Sequence, residues 1–105
     1  MENKHYHIHI DPSAVARLTI HIEFLARVSE IAALALYDSY EEALSLLEET
    51  PEICPLYHSD VLTDVELRYR LFGKRYRIVF EISKNDVYIY DIQDCRQDKD
   101  KNLLL

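Results

Sequence analysis

The sequence is poor in the residues that build phosphate-binding loops, disulfide frameworks and membrane spans. Its 105 residues include one glycine, three prolines, two cysteines and no tryptophan. A single glycine excludes a glycine-rich phosphate loop as well as collagen-like and linker-like chains. The cysteines, Cys54 and Cys95, are far apart and form no CxxC motif, so the sequence has no zinc or redox signature. No apolar run reaches the roughly 18 residues that a membrane helix needs.

What the sequence does contain is the composition of one folded domain. Hydrophobic residues make up 49% and charged residues 30%, and the length suits a single domain over residues 1–105. The first residues lack the basic and then apolar stretches of a signal peptide. We therefore expect a cytoplasmic protein with reduced thiols and no membrane partner.

The charge is acidic overall but has one basic focus. The net charge of -7 argues against indiscriminate binding of nucleic acid. One stretch contains five basic residues and no acid: Arg68, Arg70, Lys74, Arg75 and Arg77. Such a focus is typical either of a solvated pair of strands or of a binding surface.

Hydrophobic periodicity predicts six elements in the order β-α-α-β-β-β. They are a strand at His5–Ile10, a helix from Pro12 to about Val28, a helix from about Glu30 to Glu49, and strands at Leu67–Leu71, Tyr76–Ile82 and Val87–Ile92. Asp11 is expected to cap the first helix, and Ser29 to break it and cap the second. Pro51 then stops the second helix.

The predicted fold is α+β, with a helical hairpin packed on one face of a mainly antiparallel four-stranded sheet. The expected core positions are Tyr6, Ile8 and Ile10 in the first strand, Val15, Leu18, Ile22, Leu25 and Val28 in the first helix, and Ala32, Leu36, Tyr40, Ala43 and Leu47 in the second. Leu34, Leu44 and Leu46 widen the apolar stripe of the second helix beyond what one neighbour needs. The polar tail from about residue 97 is expected to be mobile.

The face of the sheet away from the helices is expected to be open and polar. If the apolar positions face the helices, the side chains that face away are His5, His7, His9, Arg68, Arg70, Arg77 and Glu81. Histidine or glutamate could move protons there, and arginine could stabilise charge, in phosphodiester chemistry. The same residues could equally form the polar side of a one-sided sheet. The alternating histidines His5, His7 and His9 are not followed by a cysteine or a second histidine cluster that would complete a ligand set, so we expect no metal.

Four parts of the chain together resemble a known family. They are Tyr6–Ala14; Phe24–Ser29 with Ala43–Leu47 and Pro51; Tyr69-Arg70 with Tyr76–Ile82; and Asp91–Asp98. In this order and at these spacings they are similar to the opening strand, helical hairpin, strand pair and closing strand of the RelE/ParE superfamily. Its members are toxins of bacterial type II toxin–antitoxin modules. The resemblance covers nearly the whole chain and implies the fold predicted above.

The resemblance implies a growth-inhibiting toxin, of a kind linked to plasmid stabilisation, that a cognate antitoxin silences. ParE-like members poison DNA gyrase, and the long hairpin with almost no connection favours that branch. The alternative is a RelE-like, metal-independent endoribonuclease that cuts messenger RNA on the ribosome. Its catalytic candidates would be Arg70, Arg77, Glu81 and Arg96. A further alternative is a degenerate, non-toxic domain that only binds antitoxin, because Cys95 and Lys99 depart from the family pattern.

The antitoxin contact is predicted on the helical hairpin and the sheet edge. Exposed leucines beside unpaired arginines suit an amphipathic, acidic segment whose apolar side chains anchor while its carboxylates form ion pairs. The residues expected to bind the antitoxin are Arg68, Arg70, Arg75, Arg77, Leu34, Leu44 and Leu46. At least one of Arg70, Arg77 and Arg96 is expected to reach an antitoxin acid. No cofactor is expected.

Overall fold

A computed structural model describes residues 5–58 and 64–96 of the chain. The elements are β1 (His7–Ile10), α1 (Pro12–Val28), α2 (Glu30–Glu49), a 3₁₀ helix (Pro51–Ile53), β2 (Arg68–Phe72), β3 (Tyr76–Ser83) and β4 (Asp86–Asp94). The predicted element order and the α+β class are confirmed. The tail that was expected to be mobile, from about residue 97, lies outside the described residues. No helix in the described ranges has the length and apolar character needed to cross a membrane.

The four strands form one mixed sheet in the order β1-β4-β3-β2. The β2–β3 and β3–β4 pairs are antiparallel, whereas β1 lies parallel to β4 at one edge. The helices carry the chain from β1 at one edge to β2 at the other, and β4 returns to the interior of the sheet. Consequently β1 and β2 are the edges, and the hairpin of α1 and α2 covers one face.

Two side chains define the start of α1 and the junction between α1 and α2. The Asp11 carboxylate accepts hydrogen bonds from the Ser13 hydroxyl at 2.7 Å and from the Ser13 backbone N–H at 2.8 Å, and these two bonds, the hydroxyl bond first, lower the pKa of Asp11. Ser29 has extended backbone, and its N–H donates to Leu25 O at 2.8 Å, which closes α1. The Ser29 hydroxyl then accepts from the Ala32 N–H at 3.1 Å and caps α2. Because one residue serves both helices, the hairpin needs no loop.

The core lies between the helices and the covered face of the sheet. Its buried members include Tyr6, Ala14, Leu18, Leu36, Tyr40, Leu47, Phe72, Tyr76, Ile78, Phe80, Val87, Ile89 and Ile92. The first-strand prediction is confirmed, since Tyr6 is buried and Ile8 and Ile10 pack against the core. The predictions for Val15 and Val28 are wrong, because these side chains are 45% and 79% exposed.

The helical stripes differ from the predicted ones by small rotations. In α1 the buried positions are Ala14 and Leu18, and burial then decreases along the helix toward the connection at its end. In α2 Ala33 is buried, whereas Ala32, which the sequence predicts for the core stripe, is only half-buried. The periodicity of a helix fixes which residues share a face, but small residues at the border of that face do not show which side the neighbour covers.

Two of the arginines predicted for the open face lie instead on the helix side of the sheet. Phe72 and Tyr76 pair across β2 and β3, and both belong to the helix-covered core. Because side chains alternate along a strand, Arg70 and Arg68 share the face of Phe72. The prediction that they face away together with Arg77 is therefore wrong. β2 is an edge strand, and long arginine side chains fit over the partly covered rim of such a strand.

Candidate functional site

A continuous groove runs between α2 and the β2 edge of the sheet. Its three adjoining hollows measure about 430, 150 and 300 Å³. The first two share Ser39 and Gly73, and the last two share Arg70 and Leu71. One flank of α2 forms the long wall through Ala32, Ala35, Ser39, Glu42 and Leu46. This α2–β2 groove extends over 15 helical residues, from Ala32 to Leu46, a length of about 21 Å.

The turn between β2 and β3 approaches α2 closely where the first two hollows of the groove meet. Gly73 and Lys74 both adopt positive φ angles, of 56° and 74°. A Cβ atom at Gly73 would lie only 2.7 Å from Leu36 Cδ1, so glycine permits the close approach of the turn to the helix. Lys74 and Arg75 of the same turn line the groove beside the apolar side chains of Leu36 and Tyr76.

Arg70 is the cationic centre of the groove. It is half-buried, and among the described residues its Nε has no hydrogen-bond partner and no carboxylate forms an ion pair with it. Arg68 differs, because its guanidinium donates to Cys54 O at 2.6 Å and contacts the Glu66 carboxylate at 3.3 Å. Burial raises the pKa of the Cys54 thiol, and a hydrogen bond from Arg70 opposes part of that rise. Arg70 thus offers a positive charge to an acidic ligand.

The outer edge of β2 is covered along only part of its length. Tyr57 N donates to Leu67 O at 2.7 Å, and Tyr69 N donates to Pro55 O at 3.1 Å. Leu71, two residues further on, directs its backbone N–H and C=O outward in the same way as Tyr69. No backbone hydrogen bond from the described residues covers Leu71 on that side, and its side chain is 56% exposed. An open strand edge therefore borders the groove.

Arg77 lies on the opposite, open face of the sheet and is held there by its neighbours. Its guanidinium carbon is 5.0 Å from the centre of the Tyr57 ring and 5.8 Å from that of Tyr69. Its Nε donates to Gln93 Oε1 at 2.6 Å, and Gln93 Nε2 donates to the Tyr57 hydroxyl at 3.1 Å. This network ties the segment after the 3₁₀ helix to the sheet, which gives Arg77 a structural role.

A second polar cluster occupies the β1 end of the open face. The His9 ring stacks on Tyr88 at 4.8 Å, and its Nε2 is 2.8 Å from the Asp86 carboxylate. Tyr90, where the β3–β4 register shifts, donates a hydrogen bond to the Glu81 carboxylate. This hydrogen bond raises the pKa of Tyr90 to about 12. The cluster combines an imidazole with carboxylates, the groups that proton transfer uses.

The four nuclease candidates are not brought together. Arg77 and Glu81 share the open face but are four residues apart on β3, roughly 13 Å along the strand. Arg70 lies in the groove on the other face. Arg96 follows the end of β4 and lines a cleft against α1. Among residues 5–58 and 64–96, no group of three or more His, Cys, Asp or Glu side chains could hold a metal ion.

The residues expected to bind an antitoxin fall into three sets. Arg70, Arg75 and Leu46 line the α2–β2 groove. Leu34 is 66% exposed and does not line the three hollows of the groove, whereas Leu44 packs against the core. Arg68 and Arg77 are engaged in the contacts described above.

Sequence reasoning missed the small-residue flank of α2 that makes the groove deep. Ala32, Ala35 and Ser39 recur at spacings of three and four residues, so they form one helical ridge. That spacing of small side chains was a readable signal, although it does not show what lies opposite.

Comparison with known families gives one match. The sequence matches the family model described as ParE toxin of type II toxin-antitoxin system, parDE, over residues 8–99. The matched range includes both helices and the whole of β2, β3 and β4. No curated protein matches the chain.

Proposed function

The chain belongs to the ParE toxin family of type II toxin–antitoxin systems, and from this premise we propose that its antitoxin binds in the α2–β2 groove. We propose further that the free toxin inhibits growth in the cytoplasm by acting on DNA gyrase, and that the pair stabilises a plasmid.

The position of Arg70 is the observation that supports this binding site. A half-buried guanidinium without a carboxylate ion-pair partner in the described residues lines the same hollow as Ala43 and Phe72, beside the open strand edge at Leu71. An acidic residue of a bound segment would pair with Arg70, while neighbouring apolar side chains would fill the hollows beside Ala43 and Phe72. The open N–H and C=O of Leu71 could bond an extended part of the same segment.

The placement of the polar residues supports gyrase over the ribosome as the target. Arg77 is held by Tyr57 and Tyr69, and Glu81 lies roughly 13 Å from it, so these residues form no single hydrolytic site. The observation that favours a ribonuclease is His9 hydrogen-bonded to Asp86, since such a pair can accept and return a proton. The experiment that identifies the target therefore also tests for ribonuclease activity.

Expression of the toxin alone tests the activity. Growth arrest is expected, together with loss of supercoiling or accumulation of cleaved complexes when purified toxin is added to gyrase and plasmid. Cleavage of a translated message, seen by primer extension and lost in a His9→Ala variant, would replace gyrase with the ribosome. Normal growth would instead support a non-toxic, antitoxin-binding domain.

A charge variant in the groove tests the binding site. The partner would be the product of the small open reading frame next to the toxin gene. Arg70→Ala is expected to weaken the complex roughly 10- to 100-fold, the usual effect of losing a hydrogen bond to a charged group. Arg27→Ala removes the same charge from the exposed end of α1 and is the matched control. Equal dissociation constants for the two variants would place the partner elsewhere.

A further inference from the structure

A second cleft lies between α1 and the ends of β3 and β4. It measures about 220 Å³. Ile20 and Phe24 form one wall, and these side chains are 62% and 63% exposed. Arg75 and Arg96 line the other wall. We call this the α1 cleft, and it joins exposed apolar surface to two guanidinium groups.

The charges of the α1 cleft are not balanced. Asp94 is buried, and its Oδ2 is 3.5 Å from Arg75 Nη2. Its other oxygen, Oδ1, accepts a hydrogen bond from the Arg96 backbone N–H at 2.9 Å. The Arg96 guanidinium has no ion-pair partner among residues 5–58 and 64–96, and within the same ranges Arg75 Nε is buried without a hydrogen-bond partner. His21, whose ring tilts against Tyr76 at 5.2 Å, adds an imidazole to the lining of the cleft.

The Asp94 carboxylate limits the negative charge that a ligand of the α1 cleft can carry. It already pairs with Arg75, and it would repel a dianion such as a phosphate monoester. A ligand with a single carboxylate matches the charge of the Arg96 guanidinium, whose planar fork can bind both carboxylate oxygens. The exposed walls of Ile20 and Phe24 lie beside it and would gain from covering an aliphatic side chain.

The α1 cleft also adjoins the α2–β2 groove. Arg75 and Tyr76 line both of them, so a chain leaving the groove past the β2–β3 turn would enter the cleft directly. We propose that the α1 cleft binds a carboxylate flanked by an apolar side chain, supplied by the antitoxin segment that fills the groove. This inference rests on the proposed function for the identity of the partner.

Small probes test the chemistry without the partner. Isotope-labelled toxin would be titrated with N-acetyl-leucine and, separately, with its uncharged amide, while backbone resonances are recorded by NMR. Saturable shifts at Phe24, Tyr76 and Arg96 are expected with the acid and not with the amide. Arg96→Gln should weaken binding of the acid about tenfold or more, whereas Arg27→Gln should leave it unchanged.

Equal binding of the acid and the amide, or no binding of either, would overturn the inference. The inference would also be overturned if N-acetyl-leucine bound only to the double variant Asp98→Asn, Asp100→Asn, because that result would mean that carboxylates of the toxin itself compete for the cleft. With the partner, Arg96→Gln should weaken the complex about tenfold. If Arg96→Gln leaves the affinity for the partner unchanged, the α1 cleft is refuted as a partner-binding site, but the α2–β2 groove is not. If N-acetyl-leucine binds but no complex with the partner forms, the α2–β2 groove is refuted as the antitoxin site, but the carboxylate site in the α1 cleft is not.

Discussion

Replacing Gly73 by alanine should destabilise the protein through two separate effects. The φ angle of 56° lies in the left-handed region, where a residue with a Cβ is less stable by roughly 1–2 kcal/mol. The new methyl group would also lie 2.7 Å from Leu36 Cδ1, and Leu36 is buried. Overpacking of this kind costs roughly 1–3 kcal/mol. The lower half of that range applies here, because Cδ1 is the end of a flexible side chain that can move away. The sum is about 2–4 kcal/mol.

The effect is large enough to measure directly. A domain of this size is stable by roughly 5–15 kcal/mol, and each kcal/mol shifts its melting temperature by about 4–8 °C. Urea unfolding followed by circular dichroism should therefore show a lower midpoint for Gly73→Ala with an unchanged slope. Thermal unfolding should show a melting temperature lower by about 10 °C or more.

Two further variants separate the causes. Gly73→Asn retains the contact with Leu36 but tolerates the left-handed conformation better, so it should lose roughly 1 kcal/mol less than alanine. Lys74→Ala keeps a Cβ at a φ angle of 74° and should change stability by less than about 0.5 kcal/mol. If Gly73→Ala changes stability as little as Lys74→Ala does, then the turn neither requires glycine nor presses against α2, and the account of the groove wall is refuted.

Other contacts allow equally specific predictions. Ser29→Ala removes the hydroxyl that caps α2 and should cost roughly 0.5–2 kcal/mol in urea unfolding, most of which Ser29→Asp should restore; equal losses for both would show that the cap is not the cause. The pKa of Tyr90 is raised to about 12 from 10.0, so this pair contributes stability below pH 10, and the contribution is lost as pH rises toward 12. In an ultraviolet titration Tyr90→Phe should abolish the corresponding step and Glu81→Gln should lower its midpoint, whereas an unmoved step in Glu81→Gln would contradict the hydrogen bond.

Local hydrogen bonding explains why the helices could be predicted closely. Asp11 and Ser29 form their caps with residues two and three positions away, so the signal lies within a few letters of sequence. The alternation at Tyr6 to Ile10 is equally local, and it identified the buried side of β1 correctly. The family resemblance also followed from short motifs in a fixed order, and the match over residues 8–99 confirms it.

The sequence by itself therefore determined the element order, both helix boundaries at the hairpin and the family. Tertiary structure alone decided which face of the edge strand β2 carries Arg70, because both of its faces are partly exposed and alternation does not say which one the helices cover. It also decided that Arg70 lies beside α2, that Arg77 lies under Tyr57, and that Arg96 lies near Phe24. These neighbours are far apart in sequence, so no local pattern encodes their contact, and the groove and the cleft exist only once the helices pack on the sheet.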